Sequence, residues 1–255
     1  MGRVVCFANQ KGGVGKTSTC VNLCAAVREK NRKILLVDAD PQGNATTGMG
    51  VDKHGVVSLY DVMVNGVPAE EAIVQTPYGD VLPANIDLSG ATVELVDRPR
   101  REYVLRQAIE PLRDRYEYIF IDCPPSLGLL TLNALVAADS VIVPVQCEYY
   151  AMEGLADLIK SIRVTRRKLN PELVIEGILL TMYDRRLSFS SQVALEIRKA
   201  FKNGVYATVI PRNVRIAEAP SHGIPVGSYS RLSRGAVAYD CLAVEFFRHN
   251  HIYQL

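Results

Sequence analysis

The chain is poor in the features that mark secreted, membrane-spanning or metal-scaffold proteins. Its six cysteines, Cys6, Cys20, Cys24, Cys123, Cys147 and Cys241, contain no CxxC pair, and no secretory apolar segment precedes the first β-branched run. Core or surface thiols in a reducing cytosol are expected. No apolar run approaches the roughly 20 residues a spanning helix requires, because the most apolar stretches are short and end in Pro, Gly or charge. The four histidines, His54, His222, His249 and His251, lack zinc-ligand spacing; the last two are expected in solvent. Repeats, low-complexity segments and linkers are also missing. Net charge is nearly absent: 29 Lys+Arg face 27 Asp+Glu over 255 residues, leaving +2. With 48% hydrophobic residues, that balance excludes a disordered chain, and the length suits one α/β domain better than two.

The small total conceals an asymmetry. Residues 160–255 carry 15 Lys+Arg against 7 Asp+Glu, net +8, whereas residues 1–159 carry 14 against 20, net −6. A basic back half raises the question of a polyanionic partner.

Short β-branched runs recur at Val4 to Ala8, Ile34 to Val37, Ile119 to Ile121, Val141 to Val145, Val174 to Leu180 and Ala207 to Ile210, each followed by a helix-like stretch. The alternation predicts an α/β fold with an open, mostly parallel sheet. The runs are continuously apolar, as strands covered by helices on both faces must be. Helical periodicity follows Gly15 (Val21, Leu23, Cys24, Val27) and returns at Leu155, Leu158, Ile159 and Ile162. Between Thr46 and Asp97 the pattern weakens, and short elements and loops are expected.

The most specific stretch is Asn9-Gln10-Lys11-Gly12-Gly13-Val14-Gly15-Lys16-Thr17-Ser18, directly after the first strand and before a helix. Glycines let successive N–H groups turn inward around phosphate oxygens, and the helix N-terminus adds a favourable dipole. Lys16 neutralises β/γ charge, and Thr17 offers a hydroxyl to Mg²⁺. The strict G-x-x-x-x-G-K-[ST] pattern is not met, since Gln10 stands where the first Gly belongs. A second lysine, Lys11, sits on the phosphate side, where two like charges repel unless an anion lies between them. Downstream, Asp38 and Asp40 end the second strand, where open α/β sheets bind ligands. Asp122 closes another apolar strand, as a carboxylate that holds Mg²⁺ does. Strand-end Asx caps or turns are the alternatives for all three.

With these residues the sequence resembles the deviant Walker A, or ParA/MinD, ATPases, whose signature is K-G-G-x-G-K-[TS]. The resemblance extends through Asp38 to Asn44, Ile121 to Ser126, Pro144 to Gln146 with Glu148-Tyr149-Tyr150, Thr181 to Asp184, Pro211 to Asn213, and Glu218 to Ser221. These motifs are similar to the ParA/Soj partition branch from about Val4 to Leu242. The resemblance implies one AAA-type P-loop NTPase domain over residues 1–255, with ATP and Mg²⁺ as cofactors and no separate DNA-binding domain. It implies catalytic roles for Lys11, Lys16 and Asp40, with Asp40 positioning the attacking water and Asp38 supporting the metal shell or the strand end. Lys11, Gly12, Gly13, Val14, Gly15, Lys16, Thr17 and Ser18 would cradle phosphates. Thr17 and Asp122 would hold the metal, and Pro124 and Pro125 would stiffen the switch that follows. Met182, Pro211 and Asn213 would meet adenine, unless they serve only as turn formers.

The same resemblance implies a slow, partner-stimulated ATPase that forms a homodimer on binding ATP, with Lys11 reaching the partner's nucleotide. It further implies non-specific double-stranded DNA binding, a ParB/Spo0J-type centromere-binding partner, and a cytoplasmic, nucleoid-associated location. Arg186, Lys199, Lys202, Arg215 and Arg234 are the candidate DNA contacts, each with a solvated surface charge as its alternative. Ile224 to Ser228, Ser230 and Arg231 depart from the branch's usual lysine- and aspartate-containing pattern, so no DNA contact is carried over there. A MinD-like membrane ATPase is the main alternative. The tail Phe246 to Leu255 has little positive charge and makes a poor anchor, so no stable membrane attachment is expected. Iron–sulfur carriers on this scaffold would need paired cysteine ligands, which are not evident. A nucleotide-binding module without hydrolysis is a third possibility.

Overall fold

The computed structural model describes residues 1–148 and 151–252, the last two by backbone alone. Six strands form the sheet: β1 (Arg3–Phe7), β2 (Ile34–Asp38), β3 (Asp80–Leu82), β4 (Tyr118–Asp122), β5 (Ser140–Gln146) and β6 (Val174–Thr181). Their order is β3-β2-β4-β1-β5-β6, with every pairing parallel. The helices are α1 (Lys16–Arg28), α2 (Asn44–Gly48), α3 (Ala91–Glu94), α4 (Val104–Ile109), α5 (Leu129–Ala137), α6 (Ala151–Lys168), α7 (Ser188–Phe201), α8 (Val214–Glu218), α9 (Val226–Tyr229) and α10 (Arg234–Ile252).

Period-2 side-chain alternation sends each strand into two separate cores. Val4 and Cys6 of β1 join Leu35, Val37, Val141 and Val143 on the face covered by α4, α5, α6 and α7. Val5 and Phe7 join Leu36, Phe120 and Ile142 on the face covered by α1 and α10. Phe120 packs edge-on against Phe7 at 5.2 Å and against Phe246 of α10 at 5.6 Å. These contacts seat α10 on α1 and the central strands.

The expected parallel sheet and two-sided helix cover are present, with two local differences. The Ala207 to Ile210 run is not a strand. It is flanked by isolated bridges, Val205 to Ile178 of β6 and Pro211 to Tyr183, and its Ile210 N–H still reaches the Leu180 carbonyl at 2.9 Å, but a ladder does not form because Glu245 of α10 takes the N–H groups of Ala207 and Thr208 at 2.6 and 2.8 Å. β3 is one of the short elements expected between Thr46 and Asp97; its three residues between Gly79 and Pro83 are too few to show alternation. His249 is not in open solvent either. Its ring stacks on Tyr206 at 4.8 Å, while the side chain of His251 lies outside the described residues. Five cysteines are buried and Cys241 is exposed, all as free thiols.

Phe246 is fully buried at the junction of both helices and the sheet. Phe246→Ala is expected to destabilise the protein by about 3–5 kcal/mol, read as a lower urea midpoint with an unchanged slope.

Candidate functional site

Strand order reverses beside β1, and ligands of open parallel sheets bind at such a switch point, outside the carboxyl ends of the strands. The loop from Ala8 to Gly15 leaves β1 there and feeds α1. Gly13 and Gly15 have φ of 74° and 86°, a left-handed backbone that a residue with a Cβ adopts only under strain. Two side chains outside the loop brace it. Asn9 donates to the Pro144 carbonyl at 2.7 Å and accepts the Lys11 N–H at 3.0 Å, and the Thr181 hydroxyl donates to the Val14 carbonyl at 2.8 Å. Spacing alone assigns no bracing role to Asn9 or Thr181, because the Pro144 and Val14 carbonyls they reach lie more than 130 positions away.

Lys16 is buried at the start of α1, and its ammonium donates to the Lys11 carbonyl at 3.1 Å. Burial lowers its pKa, and the negative field of Asp122, Cys123 and Asp40 opposes that shift. Lys11, exposed at the loop tip, forms an ion pair with Glu148. The two lysines expected to repel each other are thus each compensated within the chain, Lys11 by a carboxylate and Lys16 by a carbonyl and the acidic strand ends. Tyr149 and Tyr150, beside Glu148, lie outside the described residues.

Parallel register sets Asp38 opposite Asp122 at the ends of β2 and β4. Asp122 is fully buried, and among the described residues neither carboxylate oxygen has a partner at full hydrogen-bond geometry, the Thr17 hydroxyl being a nearby donor. Its pKa is pushed well up, first by burial and then by Asp38, while the nearby Thr17 hydroxyl and Lys16 favour the charged form. A bare carboxylate beside a hydroxyl, facing a phosphate-type loop, fits a hard divalent cation such as Mg²⁺. Asp38 differs. It accepts bonds from the Asp40 N–H at 3.1 Å and from the N–H and hydroxyl of Thr46, both at 2.8 Å. Burial still raises its pKa, to about 6, against those bonds. Of the two readings for Asp38, loop support is the one these contacts favour. Asp40 accepts the Gln42 N–H at 3.0 Å through Oδ1, so the Asx turn is present alongside any other role.

A cavity of about 300 Å³ beside the loop is lined by Gly15, Ser18, Thr181, Met182, Pro211, Asn213 and Tyr239 among others. It gathers all three residues expected to meet a base. Met182 has φ of 49°, a strained backbone of the kind that clusters at ligand sites. Asn213 caps α8 by accepting the Arg215 N–H at 2.8 Å, which leaves its amide N–H₂ to donate. Gly235 is required here for a different reason: a Cβ would stand 2.6 Å from the Ile216 side chain, which packs beside Asn213 in the cavity wall.

The five candidate DNA contacts do not form one patch. Arg186 and Arg234 line a groove of about 770 Å³ together with Arg185 and Arg212, two arginines absent from the sequence-derived set of contacts. Lys199 and Lys202 lie at the far end of α7, whose 14 residues span about 20 Å. Arg215 pairs with Glu218 at 2.8 Å and Lys199 with Glu196 at 3.0 Å.

A glycine-rich loop leaving the central strand of a parallel sheet, with a lysine at the helix start and acidic residues at neighbouring strand ends, defines a P-loop NTPase. A family model described as an AAA domain matches residues 2–175. The sporulation initiation inhibitor protein Soj of Bacillus subtilis (strain 168) is 52% identical over 248 residues, covering 96% of this chain and 98% of that protein. Among solved structures, cobyrinic acid a,c-diamide synthase from Mycobacterium smegmatis with bound ADP and magnesium is 41% identical, with a TM-score of 0.86 over 98% of this chain and 95% of that one. The Pyrococcus furiosus cell division ATPase MinD is more distant, at 28% identity and a TM-score of 0.81 over 97% and 99% of the two chains. The chain belongs to the ParA/Soj family of chromosome-partition ATPases.

A buried, unpaired Asp122 costs stability wherever it is ionised. Its raised pKa means that folding is favoured below the ordinary carboxylate range and loses that support as pH rises through the shifted value. Asp122→Asn is therefore expected to stabilise the ligand-free protein by about 1–3 kcal/mol at pH 7.5, with the gain shrinking toward pH 4, and to lose Mg²⁺-dependent ATP binding. Urea unfolding at the two pH values checks the first part, and nucleotide titration with and without Mg²⁺ the second.

Proposed function

We propose that this ATPase drives partition of a chromosome or plasmid by forming, with ATP, a dimer that holds double-stranded DNA non-specifically. The observation that carries the reading is the pair Lys11 and Lys16 on one loop above a bare Asp122 carboxylate. One lysine suffices for one nucleotide's β/γ charge. The second stands exposed at the tip, where it can leave Glu148 for the phosphates of a second subunit.

Each part of the site has a role in that scheme. The N–H groups of Gly12 to Ser18 and the Lys16 ammonium bind the phosphates, and Met182, Pro211 and Asn213 bind the base, Asn213 through its free amide N–H₂. Thr17 and Asp122 would hold Mg²⁺, which supplies charge neutralisation to the β- and γ-oxygens. Asp40 orients the attacking water rather than forming a covalent bond, since γ-phosphate hydrolysis needs positioning more than nucleophilic catalysis. Cation charge at Arg186, Arg215 and Arg234, joined by Arg185 and Arg212, contacts DNA phosphates, while Lys199 and Lys202 form a separate contact. Two copies double each surface, and phosphate contacts without base reading give salt-sensitive, sequence-independent affinity. A single P-loop unit then needs no separate DNA-binding domain, and a ParB/Spo0J-type partner raises a slow basal hydrolysis. The assembly acts in the cytoplasm on the nucleoid.

No helix among the described residues is long and apolar enough to cross a membrane. Membrane attachment through the tail is disfavoured because Phe246 is committed to the core and Phe247 packs against Tyr118 and Arg32. Tyr253 to Leu255 lie outside the described residues.

Two measurements test the reading. Asp40→Ala with ATP is expected to elute as a dimer in size-exclusion chromatography and to release phosphate about a hundredfold more slowly than wild type, at a residual but measurable single-turnover rate; a persistent monomer or wild-type release contradicts it. Arg186→Glu combined with Arg234→Glu is expected to weaken binding to a random duplex at least tenfold and to flatten the salt slope by about 3–4, since each dimer loses four arginines, with ATP-induced dimerisation intact.

A further inference from the structure

The loop that carries Asp40 is folded around a single hydroxyl. Thr46 Oγ1 donates to Asp38 Oδ2 at 2.8 Å, and the Thr46 N–H reaches the same oxygen at 2.8 Å. The other carboxylate oxygen of Asp38 accepts the Asp40 N–H at 3.1 Å. The same Thr46 hydroxyl accepts the Ala84 N–H at 3.0 Å, just beyond β3. Thr46 and Asp38 are both fully buried, so solvent cannot replace a bond that is lost. The turn that follows is tight: Asp40 accepts the Gln42 N–H through Oδ1 and the Gly43 N–H through its carbonyl. It hangs from the strand ends at two points, the Ala39 N–H to the Asp122 carbonyl at 2.9 Å and the Asp40 N–H to Asp38.

We infer that Thr46 is a positioning residue for ATP hydrolysis, acting through Asp38 to set where the Asp40 carboxylate stands. The inference rests on the reading of Asp40 as the residue that orients the attacking water. Asp38 has two oxygens and three donors, and the Thr46 hydroxyl is the donor that also ties the arrangement to a second strand. Without it, Asp38 Oδ2 keeps only the Thr46 N–H, the Ala84 N–H has no acceptor in Thr46, and the carboxylate is held by two backbone N–H groups alone. A small shift of that carboxylate moves the Asp40 N–H bonded to it and with it the start of the turn. Catalysis that depends on a water held in line tolerates displacements well below 1 Å, so the expected loss is in turnover and not in nucleotide affinity. Thr46 sits among small polar residues of α2, where its hydroxyl reads from sequence as an ordinary helix-start residue.

A merely structural role, stapling α2 to the end of β3, predicts something different. It lowers stability, affects all ligands equally and acts whether or not Asp40 is present. The test is single-turnover phosphate release and ATP affinity for wild type, Thr46→Val, Thr46→Ser, Asp40→Ala and the Asp40→Ala/Thr46→Val double variant, all of the full chain with Mg²⁺. Thr46→Val is expected to slow release about tenfold with ATP affinity within twofold of wild type, Thr46→Ser to restore the rate, and the double variant to be no slower than Asp40→Ala alone. Thr46→Ala removes the same hydroxyl and carries the same expectation if the valine variant does not accumulate folded. The inference is overturned if the hydroxyl-free variants hydrolyse at the wild-type rate, if Thr46→Ser is as slow as they are, or if the valine adds its full penalty on top of Asp40→Ala. A wild-type rate for Asp40→Ala alone instead overturns the reading of Asp40 and removes the basis of the inference, an outcome distinct from the other three.

Discussion

One constraint organises this molecule: a carboxylate without a hydrogen-bond partner, Asp122, is held at zero exposure at the end of a central strand. Desolvating an ionised carboxylate costs several kcal/mol unless an opposite charge compensates it. The fold places Asp38 opposite and Asp40 nearby, which adds to the cost, and offers only Lys16 and the Thr17 hydroxyl in return. That imbalance is supportable because the surrounding core is large and two-sided. Stability drawn from the β-sheet core is traded for a site that a cation and a polyphosphate complete, a common relation between function and stability.

The rest of the architecture holds that site in place. Asn9 and Thr181 pin the phosphate loop to β5 and β6. The α10 helix closes the opposite side, with Tyr239 lining the cavity beside the loop and Glu245 gripping the segment that leads to Pro211. Its far end is docked by a buried polar cluster in which Glu176 of β6 meets Arg3, Ser140, Tyr206 and Asn250. Buried charge of this sort contributes little net stability but penalises every arrangement that leaves it unpaired. It therefore specifies where α10 sits. The Lys11–Glu148 pair is of another kind, half-exposed and worth little in water, so it opens at little cost.

Much of this was legible in the amino-acid order, for physical reasons. The runs at Ile34 to Val37 and Val141 to Val145 announce strands buried on both faces, since only a sheet covered twice tolerates unbroken apolar sequence. Lys11 to Ser18 is local: the glycines, the lysine and the hydroxyl act through a single turn, so their spacing is the site. Ala207 to Ile210 has the composition of a strand, but its first two backbone donors are claimed by Glu245 from 38 and 37 positions away. β3 falls in the stretch expected to hold short elements, and three residues carry no period that would mark it as a strand.

By itself, then, the sequence determined the parallel α/β class, the phosphate loop, the acidic strand ends and the surplus of cations in the back half, all of which are properties of short segments or of composition. Tertiary structure alone decided that Asp38 is consumed by Thr46 and the Asp40 backbone while Asp122 stays bare, although both are aspartates ending apolar strands. It decided too that Arg185, Arg186, Arg212 and Arg234 share one groove while Lys199 and Lys202 lie at the other end of α7. Hydrogen-bond partners and field sources are set by distances through space, and residues dozens to more than a hundred positions apart acquire those distances only when the chain has folded.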